Sequence, residues 1–219
     1  MNRRPTLLAA LTLTAAAALT LSACGSDDSS KDKDNDKIAG ADTGGKKSPS
    51  PTAAASDSGD RPKITFPSDA KNVFEDQKTG DAAKDAVLAD SASSVNSVDE
   101  AIFEGNTDTK ALGFYNAGKA LESSITFAQQ YIDGGDTWTG VTRYFGYKVT
   151  LSGADKAYVT YCSDESKSFI KDRKTGKVDR SPATADSYVR YNTSLTKNDQ
   201  GVWQTTNIAS NGGDKACQP

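Results

Sequence analysis

Histidine is absent from all 219 residues. Its absence removes the Ser-His-Asp and Cys-His nucleophile systems, imidazole general-base chemistry and His-ligated metals together. An excess of positive charge is missing too. The 26 Lys and Arg stand against 29 Asp and Glu, a net charge of -3, so the electrostatic footprint of a nucleic-acid-binding surface is not present. There is no Gly-rich phosphate loop and no Cys-x-x-Cys pair, and no cofactor or metal is expected. What remains, 36% apolar and 8% aromatic residues, suffices for one ordinary domain with chain to spare.

The chain opens with Arg3 and Arg4, followed by a 15-residue run of Leu, Ala and Thr over 7–21. A bilayer span takes about 20 apolar residues, so this run is short for a permanent anchor and suits the apolar region of an export signal. Leu21-Ser22-Ala23-Cys24-Gly25 then resembles a bacterial lipobox. That resemblance implies a signal peptide over 1–23 and a diacylglyceryl thioether on Cys24. The mature lipoprotein would carry palmitate-type acyl chains and sit on the extracytoplasmic face of the cell membrane. Two acyl chains are what durable attachment requires. Three cysteines would otherwise leave an odd thiol in an exported protein. With Cys24 lipidated, Cys162 and Cys217 remain as a pair that such a compartment permits to form a disulfide; two buried free thiols are the alternative.

Residues 25–63 contain no aromatic residue and one bulky aliphatic, Ile38, with eight Asp against seven Lys and Arg. Such a segment cannot bury enough apolar surface to offset its ordering entropy, and residues 24–63 are expected to form a disordered tether. Asp32, Asp34 and Asp36 begin like a calcium loop, but Lys37 stands where the turn needs Gly and Thr43 where the bidentate Glu belongs. They read as a solvated charge run. Every Phe, Tyr and Trp falls at Phe66 or later, so residues 64–219 hold the core as a single domain.

Within that domain, Val87, Ser91, Val95, Val98 and Ile102 recur at helical spacing, with Asp81 as N-cap and Gly105-Asn106 as the stop. Ala111, Phe114, Leu121, Ile125, Ala128 and Ile132 continue the pattern, with Gly113 and Gly118 weakening it and Gly134-Gly135 ending it. Val141, Arg143, Phe145, Tyr147, Val149 and Leu151 then alternate with a second set at period two, which predicts a strand. Shorter strands are expected over 157–162, 168–171, 177–178, 187–196 and 202–209, with Lys174-Thr175-Gly176 as a hairpin tip. The fold class is therefore α+β: N-terminal helices packed on a curved antiparallel sheet of five or six strands.

This order, with Gly201-Val202-Trp203 opening the last strand, resembles the nuclear transport factor 2-like cone. It also resembles secreted actinobacterial lipoproteins carrying such a domain behind a Ser/Asp/Lys-rich tether. The supporting runs are 158–162, the Lys174-Thr175-Gly176-Lys177 turn, and Val202-Trp203 through Cys217. The resemblance implies a concave sheet whose mouth can hold a small molecule, and an open sheet face that can pair with a second copy or another protein. Fold alone fixes no activity.

Six of the eight tyrosines, at 144, 147, 158, 161, 188 and 191, fall on the expected strands. Tyr147, Tyr161 and Tyr191, with Phe145, either line a ligand pocket or pack the core with their hydroxyls at the rim. Relatives of the fold that move a proton beside a carbonyl use an Asp base with a Tyr donor. The candidates for that pair are Asp155 or Asp164 with Tyr161, although turn carboxylates are solvated by default. Ser168-Phe169-Ile170-Lys171 and Lys174-Thr175-Gly176 mimic two penicillin-binding motifs, but they are only two residues apart and lack the Ser-Asp-Asn element between them. The expected function is a membrane-anchored, non-catalytic binding or scaffold module, not an enzyme. The alternative is a small-ligand carrier or isomerase-like enzyme that uses the cone.

Overall fold

A computed structural model describes residues 61–219. The lipobox cysteine Cys24, the signal peptide and nearly all of the tether lie outside the described residues. The chain is already tied to the domain at Arg61, whose guanidinium pairs with the Asp90 carboxylate and lies over the Tyr115 ring.

Helix α1 (Ala82–Glu104) begins where cap chemistry places it: the Asp81 carboxylate accepts from the Ala83 and Lys84 backbone N–H groups, and Gly105 closes it in the left-handed conformation. The second helical stretch is split into α2 (Lys110–Tyr115) and α3 (Gly118–Asp133). The break falls at Asn116-Ala117, where Ala117 N–H donates to the Thr205 carbonyl. Buried Asn116 fills the junction. Its amide donates to Ser97 Oγ and the Leu112 carbonyl and accepts from Ser94 Oγ.

The sheet has six strands. Besides β2 (Asp136–Ser152), β3 (Lys156–Asp172), β4 (Val178–Asp179), β5 (Tyr188–Lys197) and β6 (Trp203–Gly212), it includes β1 (Ala70–Phe74). The order is β1-β2-β3-β5-β6, with β4 beside β3. Strand β1 runs parallel to β2, so the sheet is mixed and not wholly antiparallel as expected. A five-residue strand with two bulky apolar residues gives little alternation to read, and a parallel partner leaves no hairpin turn as a marker. Strand β3 also runs unbroken through the polar residues Ser163 to Lys167, where the sequence suggested a gap, because β2 pairs with it from Asp136 to Ser152.

The hairpin of β2 and β3 carries two register shifts, at Val141/Arg143 and at Phe145/Lys148. At the second, β2 has one extra residue, absorbed at Gly146 with φ +65, and an extra residue turns every following side chain to the other face. Trp138, Thr142 and Tyr144 therefore point inward on the first half, and Tyr147, Val149 and Leu151 pack against the core on the second. A strict period-two reading places Val141, Arg143 and Phe145 with that second set. The structure corrects this: Val141 is exposed, and Arg143 lies over the Phe145 ring at 4.2 Å while pairing with Glu75 and Asp164.

Two apolar clusters hold helices to sheet. Val87 and Leu88 of α1 pack on Val159, Tyr161, Leu195 and Trp203. Ile102, Leu112, Ala128 and Tyr131 pack on Trp138. Asp90, 2% exposed, joins the two layers by accepting from the Trp203 backbone N–H at 2.9 Å. Cys162 and Cys217 form the disulfide, their Cα atoms 5.5 Å apart, which ties the C-terminal tail to β3.

Candidate functional site

Between α1, α3 and the concave side of the sheet lies a cavity of about 440 Å³, within the range of small-molecule sites. Its helical wall comes from Val95, Val98 and Asp99 of α1 and from Phe127 and Tyr131 of α3. The helical period places those α1 residues on one face. The sheet wall comes from Trp138 and Tyr144 of β2, Tyr161 and Glu165 of β3, and Tyr191 of β5. Asp186, in the short 3-10 turn before β5, and Asn211 of β6 also line it.

Tyr161 is the hub of the sheet wall. Register places it directly opposite Tyr191, and the two rings stack at 5.0 Å. Tyr147 stacks on Tyr161 at 5.1 Å, and Tyr144 meets it edge-on at 6.1 Å. Of the four residues singled out in the sequence, the structure brings Tyr147, Tyr161 and Tyr191 together, with Tyr161 and Tyr191 in the cavity wall and Tyr147 in the core beside Tyr161. Phe145 is not among the lining residues; it sits under Arg143.

None of the three acids that line the cavity, Asp99, Glu165 and Asp186, is marked as a site residue by the sequence. Asp99 Oδ1 accepts from the Trp138 indole N–H at 3.0 Å and Oδ2 accepts from the Asn72 amide at 2.7 Å. The second donor sits on β1, so the strand hardest to read helps to orient this acid. Glu165 Oε1 accepts from Ser163 Oγ at 3.2 Å. Neither acid carries a local signal: Asp99 adjoins an apolar stripe, and Glu165 lies in a polar run that resembles a loop. The carboxylates considered from sequence lie elsewhere. Asp155 is exposed in the β2–β3 turn. Partial burial raises Asp164, but hydrogen bonds from Ser166 and the Arg143 guanidinium hold its carboxyl below the ordinary range.

Burial, with the negative charge of Asp99 and Glu165 nearby, pushes the Tyr144 phenol well up. Burial and Asp99 do the same to Tyr161, and burial and Tyr161 to Tyr147. These phenols stay protonated donors across the physiological range. Among the described residues no three Asp, Glu, Cys or His side chains converge as metal ligands.

No model of a known protein family matches the chain, and no curated protein matches it. Among solved structures, the chain is similar to a ketosteroid isomerase-like protein from Erwinia carotovora atroseptica at 16% identity and a TM-score of 0.39, covering 57% of this chain and 92% of that one. It is also similar to the intermembrane space region of the chloroplast protein ARC6 at 14% identity and a TM-score of 0.36, covering 57% and 92%. Neither likeness assigns an activity.

The shifted phenols make a prediction of their own. An unfolded tyrosine ionises near pH 10, whereas these three hold their protons to higher pH when folded. Above about pH 10 the unfolded chain binds fewer protons than the folded one, so their contribution to stability, complete below that pH, is lost as pH rises further. Phenolate absorbance titrated with and without denaturant should show a group of tyrosines that ionise only on unfolding. Complete titration of all eight near pH 10 in the folded protein would contradict the burial assigned to them.

Proposed function

We propose that this chain is a lipid-anchored extracytoplasmic binding protein whose domain takes a small, largely apolar molecule in the cavity between α1, α3 and the sheet. The observation that carries this reading is the cavity itself, about 440 Å³ and lined by aromatic and aliphatic side chains interspersed with Ser, Asn, Asp and Glu, a mixture that can hold an apolar body and orient it through polar groups. Folded proteins otherwise pack their interiors to crystal-like density. The Cys162–Cys217 disulfide supports an oxidising compartment, and the lipobox at Cys24 supports the anchor.

Trp138 in the cavity wall supplies an intrinsic probe. Neutral naphthalene derivatives should change its fluorescence with saturable, micromolar affinity, and Ser124→Phe, which places a ring in the lining, should weaken that binding at least tenfold. A wild-type protein that responds to neither neutral nor charged naphthalene derivatives would sink the ligand reading. For the anchor, labelling with a radioactive fatty acid should mark the wild-type protein and leave Cys24→Ala unlabelled; an unlabelled wild type would remove it.

A second reading, an isomerase-like enzyme, is favoured by one observation: the Asp99 carboxylate shares the cavity with two phenols, Tyr144 and Tyr161, that stay protonated. A base and hydrogen-bond donors in one apolar chamber can move a proton beside a carbonyl. Solvent-deuterium incorporation into a bound ketone, abolished by Asp99→Asn, would distinguish this from simple binding.

A further inference from the structure

We infer that the cavity selects an organic cation, a tertiary or quaternary ammonium group on an apolar body. This rests on the reading of the cavity as a ligand site and names the chemical class it takes. The first support is the sign of the charge. Asp99 and Glu165 contribute carboxylates from the walls and Asp186 one from the lining near β5, while no Lys or Arg among the described residues lines the cavity. A low-dielectric chamber lined by one sign of charge concentrates the field that an opposite charge experiences.

The second support is the aromatic surface. Trp138, Tyr144 and Tyr191 belong to the lining, and ring faces attract a weakly hydrated cation, by more when water is excluded. Tyr161 is stacked between Tyr147 and Tyr191 and adds to the wall without offering a face. Hydrogen bonds to Trp138 and Asn72 hold Asp99 in place, so the carboxylate is fixed before a ligand arrives. Val95 and Val98 leave apolar wall for the body of the ligand.

Other ligand classes fit less well. A bare metal ion lacks the convergent ligand set it needs, because no such group exists among the described residues. An anion would meet like charge on both walls. A neutral hydrocarbon would gain the apolar contacts but not the electrostatic ones.

The test uses the mature chain and three probes of similar size followed through Trp138 fluorescence and calorimetry. They are trimethyl(naphthalen-2-ylmethyl)ammonium, its uncharged isostere 2-neopentylnaphthalene, and naphthalen-2-ylacetate. The ammonium probe should bind at least tenfold more tightly than the neutral isostere, with the carboxylate weakest. The ratio of ammonium to neutral affinity should fall at least threefold in Glu165→Gln and in Asp99→Asn, with folding checked by circular dichroism. If Asp99→Asn does not fold, Glu165→Gln and the exposed Asp186→Asn decide the matter. Equal or tighter binding of the neutral probe would overturn the cation assignment while leaving the ligand-site reading intact, and so would a ratio unchanged in every folded variant. Failure of all three probes to bind would overturn both.

Discussion

Gly140→Ala should lower unfolding stability by about 4 kcal/mol, combining overpacking of ~1–3 kcal/mol with backbone strain of ~1–3 kcal/mol. Gly140 has φ +103, a conformation L side chains rarely adopt. A Cβ there would also collide with the Lys167 carbonyl, lying 3.2 Å from its carbon and closer still to its oxygen. The residue is the seam of the sheet. It pairs with Ala70 in parallel β1 and with Ser168 in antiparallel β3, and its N–H donates to the Asp69 carbonyl at 2.8 Å. Relief of the clash would therefore open both pairings at once. Gly113→Ala is the control. Its Cβ would meet nothing within 4 Å and it lies in helix α2, so stability should hold or rise by up to about 1 kcal/mol. Urea denaturation measures both; a Gly140→Ala midpoint equal to wild type would refute the assigned backbone geometry.

Cys162→Ala/Cys217→Ala should cost a similar amount. The bond links residues 55 apart in sequence, and releasing a loop of that length restores roughly 4 kcal/mol of chain entropy to the unfolded state. Several of the tail's other ties are short-range, Asn211 to Asp214 and Gln218 to Gly213, so they do not replace the covalent link. Cys217 is 1% exposed, and its removal also leaves a small void. The double variant should unfold at markedly lower urea concentration than the oxidised wild type. Added reductant should bring the wild type most of the way to the variant. A midpoint insensitive to reductant would show that the bridge adds little to stability.

What the sequence disclosed was local chemistry. Asp81, Gly105 and the Gly134-Gly135 stop are legible because a cap satisfies backbone groups within a few residues of itself. Of the two glycines that weaken the second helical stretch, Gly118 marks the split, whereas Gly113 stays inside α2. The α+β order and the Cys162–Cys217 pairing were legible for the same reason: period and count survive without coordinates. What was hidden depends on long-range pairing. Strand β1 exists because β2 offers it an edge, and the inward turn of Tyr144 in place of Phe145 depends on a residue that β3 does not match. Asp99 becomes a cavity group only when Trp138, 39 positions later, and Asn72, 27 positions earlier, fold back onto it.

The unmatched residue in β2 has an evolutionary corollary. Because one added or lost position exchanges which side chains face inward, a single-codon insertion or deletion in this hairpin would re-sort Tyr147, Val149 and Leu151 between the two faces of the sheet. The flanking segments and the disulfide would remain where they are. Divergence in this architecture should then be sought in the lengths of its strands as much as in their letters.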